Sequence, residues 1–343
     1  MMMNNVRKRL TALILCFSMI FALSGCVDQS QGKNKKDNST VNDIATEDVN
    51  SLLEINDPDE KLAVEKARSQ VLSLGREPKI IATSTSIAQI LDRLDIDLTG
   101  VCDTVSSSIP DRYKDVTKVG TPMSPDMEIV ASLNPDWILS PSSLQSDLQP
   151  KYEAIDSQWA FLNLRSVPGM YMSIQELGII FNRQEEAKKM VDEFTSFYES
   201  YKEKNKGKES PNVLVLMGLP GSYIIATENS YVGSLVEMAG GKNVYSGTDQ
   251  EFLTVNTEDM KTKEPDIILC ASHALPDKVA EMFRKDFAEN DIWKHFKAVQ
   301  EDKVFYLSHE LFGMSATFDY PKALEELQPI LYPEDGSDME ETK

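Results

Sequence analysis

One stretch constrains this chain more than any other. Between Val167 and Lys206, Ile174, Leu177, Phe181, Ala187, Val191, Phe194, Tyr198 and Tyr201 recur mostly every three or four residues. That spacing predicts a long amphipathic helix with one buried face. At ~1.5 Å of rise per residue it would run roughly 50–60 Å. Lys206-Gly207-Lys208-Glu209-Ser210-Pro211 ends it.

On both sides of that stretch short apolar runs alternate with helical patterns. Before it, Lys79–Thr83, Leu98–Cys102, Trp137–Ser140 and Trp159–Leu164 read as strands, and Glu60–Leu74, Ile87–Leu94 and Met127–Leu133 as helices. After it, Asn212–Met217, Tyr223–Thr227, Asp266–Cys270 and Lys303–Tyr306 read as strands, with helices at Val232–Ala239, Asp277–Phe287 and Pro321–Leu331. Alternation of this kind favours parallel α/β sheets. The expected fold is therefore α/β: two lobes with parallel-rich sheets joined by one long backbone helix. The expected boundaries are 58–166 for the first lobe, 167–206 for the helix, 207–332 for the second lobe and 333–343 for an acidic tail. The gap between two such lobes is the natural small-ligand site, and a helical hinge implies limited opening.

The N-terminus reads as a targeting segment. Arg7, Lys8 and Arg9 precede a run from Leu10 to Leu23 that is apolar apart from Thr11 and Ser18. The run is too short, and wrongly flanked, for a comfortable membrane span. It closes on Leu23-Ser24-Gly25-Cys26, which resembles the lipobox of bacterial lipoproteins. That resemblance implies a signal peptide over 1–25, a lipid on the Cys26 thiol and a place on the extracytoplasmic face of the cell membrane. Residues 26–57, rich in Asn, Asp, Ser, Lys and Gln, are too polar to offset their ordering entropy and read as a tether.

Charge narrows the partners. The chain has 35 Lys and Arg against 55 Asp and Glu, a net charge of -20. Nucleic acid is excluded, because phosphate binding needs a basic surface. A charge-driven grip on anionic lipid is disfavoured for the same reason. Of the 4 cysteines, Cys16 leaves with the signal peptide and Cys26 takes the lipid. Cys102 and Cys270 end strands in different halves and are not expected to pair. No CxxC zinc pattern, phosphate loop, nucleophile–base pair or paired carboxylates stand out, so the chain reads as a binding protein rather than an enzyme.

Several stretches sharpen this reading. They are Val119-Gly120-Thr121-Pro122-Met123-Ser124-Pro125, Leu164-Arg165-Ser166-Val167, Leu216-Met217-Gly218-Leu219-Pro220-Gly221-Ser222-Tyr223, Asp291-Ile292-Trp293-Lys294-His295-Phe296 and Leu311-Phe312-Gly313-Met314. From about Pro78 to Tyr332 the chain resembles the helical-backbone binding proteins of ABC importers for haem, siderophores and cobalamin. Within them it is most similar to the haem-receptor lipoproteins of the iron-regulated surface determinant system. The resemblance implies haem b as the transported ligand, an ABC importer permease as a docking partner, and upstream cell-surface haem carrier proteins as donors. It also implies axial ligation of the haem iron by Met123, in the Gly-Thr-Pro-Met stretch, and by His273, just after the Asp-Ile-Ile-Leu strand.

The residues themselves bear on that assignment. Met123 sits in a Pro-flanked turn, poorly placed for core packing, although a lone methionine is more often core or filler. His273 lies past the C-terminal end of a strand, where α/β folds place ligand contacts. A Met/His pair suits a low-spin iron. His295 reads as helix packing, and His309, in the Ser308-His309-Glu310 loop, is a weaker candidate to border the cleft. Cys270 reads as buried and inert. Ser84, Thr85 and Ser86 open a helix and are candidates for the haem propionates; Ser106, Ser107 and Ser108 are a second set. Met217 and Tyr223 are candidates to pack on the porphyrin. Arg165 is either a cleft residue or a lobe-to-helix anchor. Glu128 matches a permease-docking glutamate of the wider group. In the second lobe Lys242 stands where relatives often carry glutamate, which leaves Glu237 as the candidate there. The rival cargo is a ferric siderophore or cobalamin on the same fold. A free-metal site and a protein-binding adhesin are more distant rivals.

Overall fold

Strand segments that are apolar at every position belong inside a sheet covered on both faces, and the computed structural model, which describes residues 53–104 and 108–333, builds them so. The lipobox and Cys26, the tether to residue 52, Ser106, Ser107 and the tail beyond residue 333 lie outside the described residues. In chain order the first half comprises α1 (Pro58–Ser73), β1 (Ile80–Ala82), α2 (Thr85–Arg93), β2 (Gly100–Val101), β3 (Thr117–Lys118), β4 (Gly120–Thr121), β5 (Ser124–Pro125), α3 (Met127–Ser132), β6 (Trp137–Pro141), α4 (Gln145–Tyr152) and β7 (Gln158–Leu162). Two helices follow, α5 (Val167–Ile180) and α6 (Gln184–Asn205). The second half comprises β8 (Asn212–Leu219), β9 (Ser222–Ala226), α7 (Tyr231–Met238), β10 (Lys242–Asn243), β11 (Phe252–Leu253), α8 (Thr257–Thr262), β12 (Ile267–Ser272), α9 (Pro276–Glu289), α10 (Lys297–Gln300), β13 (Val304–Tyr306) and α11 (Tyr320–Leu331).

The first sheet has the order β3-β2-β1-β6-β7, and every pairing in it is parallel. The second runs β11-β9-β8-β12-β13, with β10 on β8; β8, β12 and β13 are parallel, and β9 turns back antiparallel on β8. The two-lobed α/β architecture expected from the alternation is thus present.

The connection differs from the expected single helix over 167–206. Phe181–Arg183 breaks it, with Asn182 at φ 58°, a left-handed conformation that asparagine tolerates better than most residues. The chain then reverses. Gly178 faces Ala187, and Tyr171 stacks on Phe194 at 4.4 Å. These two pairs fix α6 antiparallel to α5. A Cβ on Gly178 would stand 2.6 Å from the Ala187 Cβ, so the turn closes only because residue 178 is glycine. The 22 residues of α6 span about 33 Å.

At its far end α6 holds the second lobe. The Tyr201 hydroxyl donates to the Leu324 carbonyl at 3.3 Å, and the Asn205 and Gln328 amides exchange bonds of 2.9 and 2.7 Å. One continuous apolar core contains Ile80 and Leu139 of the first sheet, Ile174 and Phe194 of α5 and α6, Val213 and Leu269 of the second sheet, and Leu324 of α11. The lobes therefore share a core rather than merely a linker.

Candidate functional site

In parallel sheets the C-terminal strand ends lie along one edge, and ligands gather there. In the first lobe that edge carries Ser84 after β1, the β4–β5 hairpin after β3, and Asn163 to Arg165 after β7. In the second it carries the β8–β9 turn, His273 after β12 and His309 after β13. The two lobes meet beside these edges. The Ala316 N–H donates to the Leu164 carbonyl at 2.7 Å, and the Ser234 hydroxyl reaches the Arg165 carbonyl at 3.3 Å.

Met123 occupies the tip of the β4–β5 hairpin. Thr121 pairs with Ser124, which leaves Pro122 and Met123 as the two turn residues. Gly120 makes the tight return possible. Its φ is 89°, and a Cβ there would come within 2.9 Å of the Ser124 carbonyl oxygen. Met123 is 69% exposed, whereas Met170, Met217 and Met260 are fully buried. A thioether held out on a hairpin tip contributes nothing to the core, and its sulfur stays accessible as a soft donor.

His273 also stands out from its lobe. Its N–H donates to the Gly218 carbonyl at 2.9 Å and so extends the β12–β8 ladder by one residue, while the residue remains exposed. Two residues later Leu275 adopts φ 50°, 51% exposed, just before the Pro276 that opens α9. A left-handed leucine costs roughly 1–2 kcal/mol. The connection from β12 to α9 is thus short and locally strained.

Behind the first-lobe edge a buried hydroxyl chain stiffens the frame. Thr83 Oγ1 lies 2.7 Å from Ser140 Oγ, which lies 2.7 Å from the Tyr152 hydroxyl. Ser84 is the N-cap of α2 and accepts from the Ile87 N–H at 3.3 Å. Thr85 Oγ1 lies 3.8 Å from Cys102 Sγ, and Ser86 is half-buried. Ser108 is exposed.

Arg165 reaches across to the second lobe. Its Nε lies 2.9 Å from Glu251 Oε1, in the second lobe just before β11, although its N–H is not aligned on that oxygen. Burial pushes the Glu251 carboxyl up, and the guanidinium draws it back down.

Three sequence expectations are corrected. Met217 does not face a ligand: it is fully buried on β8, in register with Ala271 on one side and Ile224 on the other. A central strand covered on both faces leaves no side chain for the surface. The Tyr223 ring packs at 5.2 Å from Phe283 and 6.3 Å from Trp293, and its hydroxyl donates to Asp286 at 2.7 Å, so it fastens β9 to α9. Glu237 is not a free surface acid: it accepts the Asn243 N–H at 2.8 Å, and burial raises its carboxyl above the usual range. It lines a concavity of about 1580 Å³ together with Lys206, Lys208, Lys242 and Tyr332. That concavity borders Asn212, Asp266 and Lys303 at the strand starts, the opposite edge from His273.

Glu128 is exposed in the first turn of α3, where its N–H donates to the Asp126 cap at 3.0 Å. His295 is exposed on the turn after α9. Cys102 and Cys270 are buried and unpaired with each other, and burial raises both thiols. Sequence reasoning missed Leu275 and Tyr306, two of the few large exposed apolar side chains. Tyr306 closes β13, its hydroxyl is pushed up to about 12 by burial, and the Arg284 guanidinium sits 4.9 Å above its ring. Nothing in composition signals a left-handed leucine; the Leu-Pro junction at 275–276 is the one local hint. No helix among the described residues is long and apolar enough to cross a membrane.

Comparison with known proteins agrees with this geometry. Residues 80–311 match the family model described as periplasmic binding protein. The high-affinity heme uptake system protein IsdE of Staphylococcus aureus (strain Newman) is 40% identical over 269 residues, covering 78% of this chain and 92% of that protein. The solved structure of an ABC transporter substrate-binding protein from Listeria monocytogenes EGD-e superposes with a TM-score of 0.72 at 44% identity, covering 76% of this chain and all 100% of the other. The structure of S. aureus IsdE complexed with heme gives 0.70 at 41% identity, covering 75% of this chain and 100% of that one. With binding proteins rather than enzymes as its relatives, and its matched segment spanning both sheets, this chain belongs to the periplasmic binding protein family and within it is similar to IsdE.

Proposed function

We propose that this chain is a haem receptor that hands its cargo to an ABC importer permease. Met123 from the first lobe and His273 from the second take the two axial positions of the iron. The observation that carries the reading is that each lobe holds one exposed donor, a hairpin-tip thioether in the first and a strand-end imidazole in the second, at the ligand-gathering end of its strands. The similarity to a structure complexed with heme supports the same cargo. A Met/His pair holds iron low-spin and raises its potential relative to two nitrogens.

In this reading the first-turn N–H groups of α2 and the Ser86 hydroxyl receive the propionates of haem b, since a helix N-terminus favours carboxylate. Cys26 carries the lipid that keeps the receptor at the extracytoplasmic face of the membrane. Cell-surface carriers supply the haem, and Glu128 meets the permease. Residues 58–166 and 207–332 form the two lobes.

The test is an absorption spectrum of the full-length chain in detergent, with and without added hemin. A low-spin Soret and Q-band pattern is expected. His273→Ala abolishes it, and Met123→Ala reshapes it. A protein that takes up hemin with unchanged bands in both variants has other ligands; one that takes up none has another cargo, such as a ferric siderophore.

A further inference from the structure

The β12–β13 ladder contains a substitution of side chain for backbone. Leu307 donates its N–H to the Cys270 carbonyl at 2.9 Å. In a parallel pair the next rung would run from the His309 N–H to the Ser272 carbonyl. That carbonyl is instead met by the His309 ring, with Nδ1 at 2.8 Å, while Ser272 Oγ lies 3.3 Å from the same nitrogen. A carbonyl oxygen only accepts, so Nδ1 carries a proton in this contact.

The Ser272 carbonyl belongs to the peptide that leads into His273. On its other side the His273 N–H is fixed to Gly218. The peptide is therefore held from both neighbouring strands, by β8 through His273 and by the His309 ring through Ser272. Ser272 itself is 6% exposed. Beyond His273 the chain has only Ala274 and the left-handed Leu275 before α9, so the brace lies upstream.

We propose that His309 is a positioning residue for His273. Its ring completes the sheet where the β13 backbone departs and so presents the His273 imidazole in one orientation. The inference rests on the reading of His273 as an iron ligand. Partners that orient a metal ligand are commonly worth 10–100-fold in metal affinity.

The test uses the full-length chain in detergent, loaded with hemin and challenged with excess apomyoglobin. His309→Ala and His309→Phe remove the N–H donor; the phenylalanine keeps the ring volume. His309→Asn keeps a donor near the Nδ1 position. Haem loss about tenfold faster in the Ala and Phe variants, with Asn within about threefold of wild type, is the expected pattern. The low-spin band should persist in all three, broadened in Ala and Phe. Equal rates throughout, or an Asn variant as leaky as Ala, would overturn the proposal. His273→Ala separates the two readings. If it leaves the low-spin band intact while His309→Ala abolishes it, His309 is itself the ligand and both assignments fail. If neither variant changes the band, the ligand reading fails and the positioning role fails with it.

Discussion

Arg165, in the segment that leaves β7, stands 2.9 Å through Nε from the Glu251 carboxylate of the second lobe. Glu251 is mostly buried, and Arg165 is about one-third exposed (36%), so solvent screens the pair only in part. Arg165→Ala should cost about 1 kcal/mol in urea unfolding. The loss has a pH signature. Burial already raises the Glu251 carboxyl, and removing the guanidinium raises it further. A carboxyl raised by folding contributes stability below its unfolded pKa and loses it as pH rises through the folded value. The variant should therefore lag wild type more at pH 8 than at pH 5, and adding Glu251→Gln should remove that extra deficit at pH 8. A deficit independent of pH would assign the effect to lost side-chain packing.

Glu176 is a second titrating site, on α5. It is 5% exposed, and its carboxyl is raised well above the ordinary range, first by burial and then by the neighbouring Glu60 of α1. The same sign applies: its stabilising contribution is present in acid and fades as pH rises through the raised value. Glu176→Gln should raise Tm at pH 8 by about 2 °C or more and flatten the pH dependence. A variant that melts lower than wild type at pH 8 would show the carboxylate to be needed.

The turn between α5 and α6 depends on a missing methyl group. Gly178→Ala should destabilise by about 1–3 kcal/mol, because the new Cβ meets that of Ala187 at 2.6 Å. Adding Ala187→Gly frees the space. Chemical denaturation of the single and double variants checks this; a double variant no better than Gly178→Ala would place the strain elsewhere.

Met217 separates core from ligand contact. Met217→Ala opens a cavity in β8 and should cost about 2–5 kcal/mol, while Met217→Leu should cost under about 1.5 kcal/mol. The spectrum of hemin-loaded Met217→Leu should match wild type. A shifted Soret band would return this residue to the porphyrin face.

Much of the fold was legible because it rests on periodicity. Apolar runs at 80–82, 137–141, 213–217 and 267–271 became strands buried on both faces, and their turn residues fell where glycine, proline and asparagine predicted. The break at Asn182 shows in the sequence only as the wider gap between Phe181 and Ala187 in an otherwise three- or four-residue rhythm, and the reversal itself passes through one left-handed residue. For the candidate site, the turn position of Met123 and the strand-end position of His273 follow from local sequence. The direction of a side chain on a central strand does not: Met217 and Tyr223 lie in the one stretch 216–223, and yet one is core and the other is spoken for by Asp286. Glu237 is a candidate only because Lys242 stands where relatives often carry glutamate, and its bond to the Asn243 N–H depends on where β10 returns. The His309 ring taking a rung of the ladder needs the register of two strands far apart in sequence.

The apolar core that runs without interruption from the first sheet through α5, α6 and α11 into the second bears on where this chain could be divided. A chain severed in the turn at Phe181–Arg183 would leave each piece with a raw greasy flank that was sealed by the other. A cut there should yield fragments that regain solubility only on being mixed.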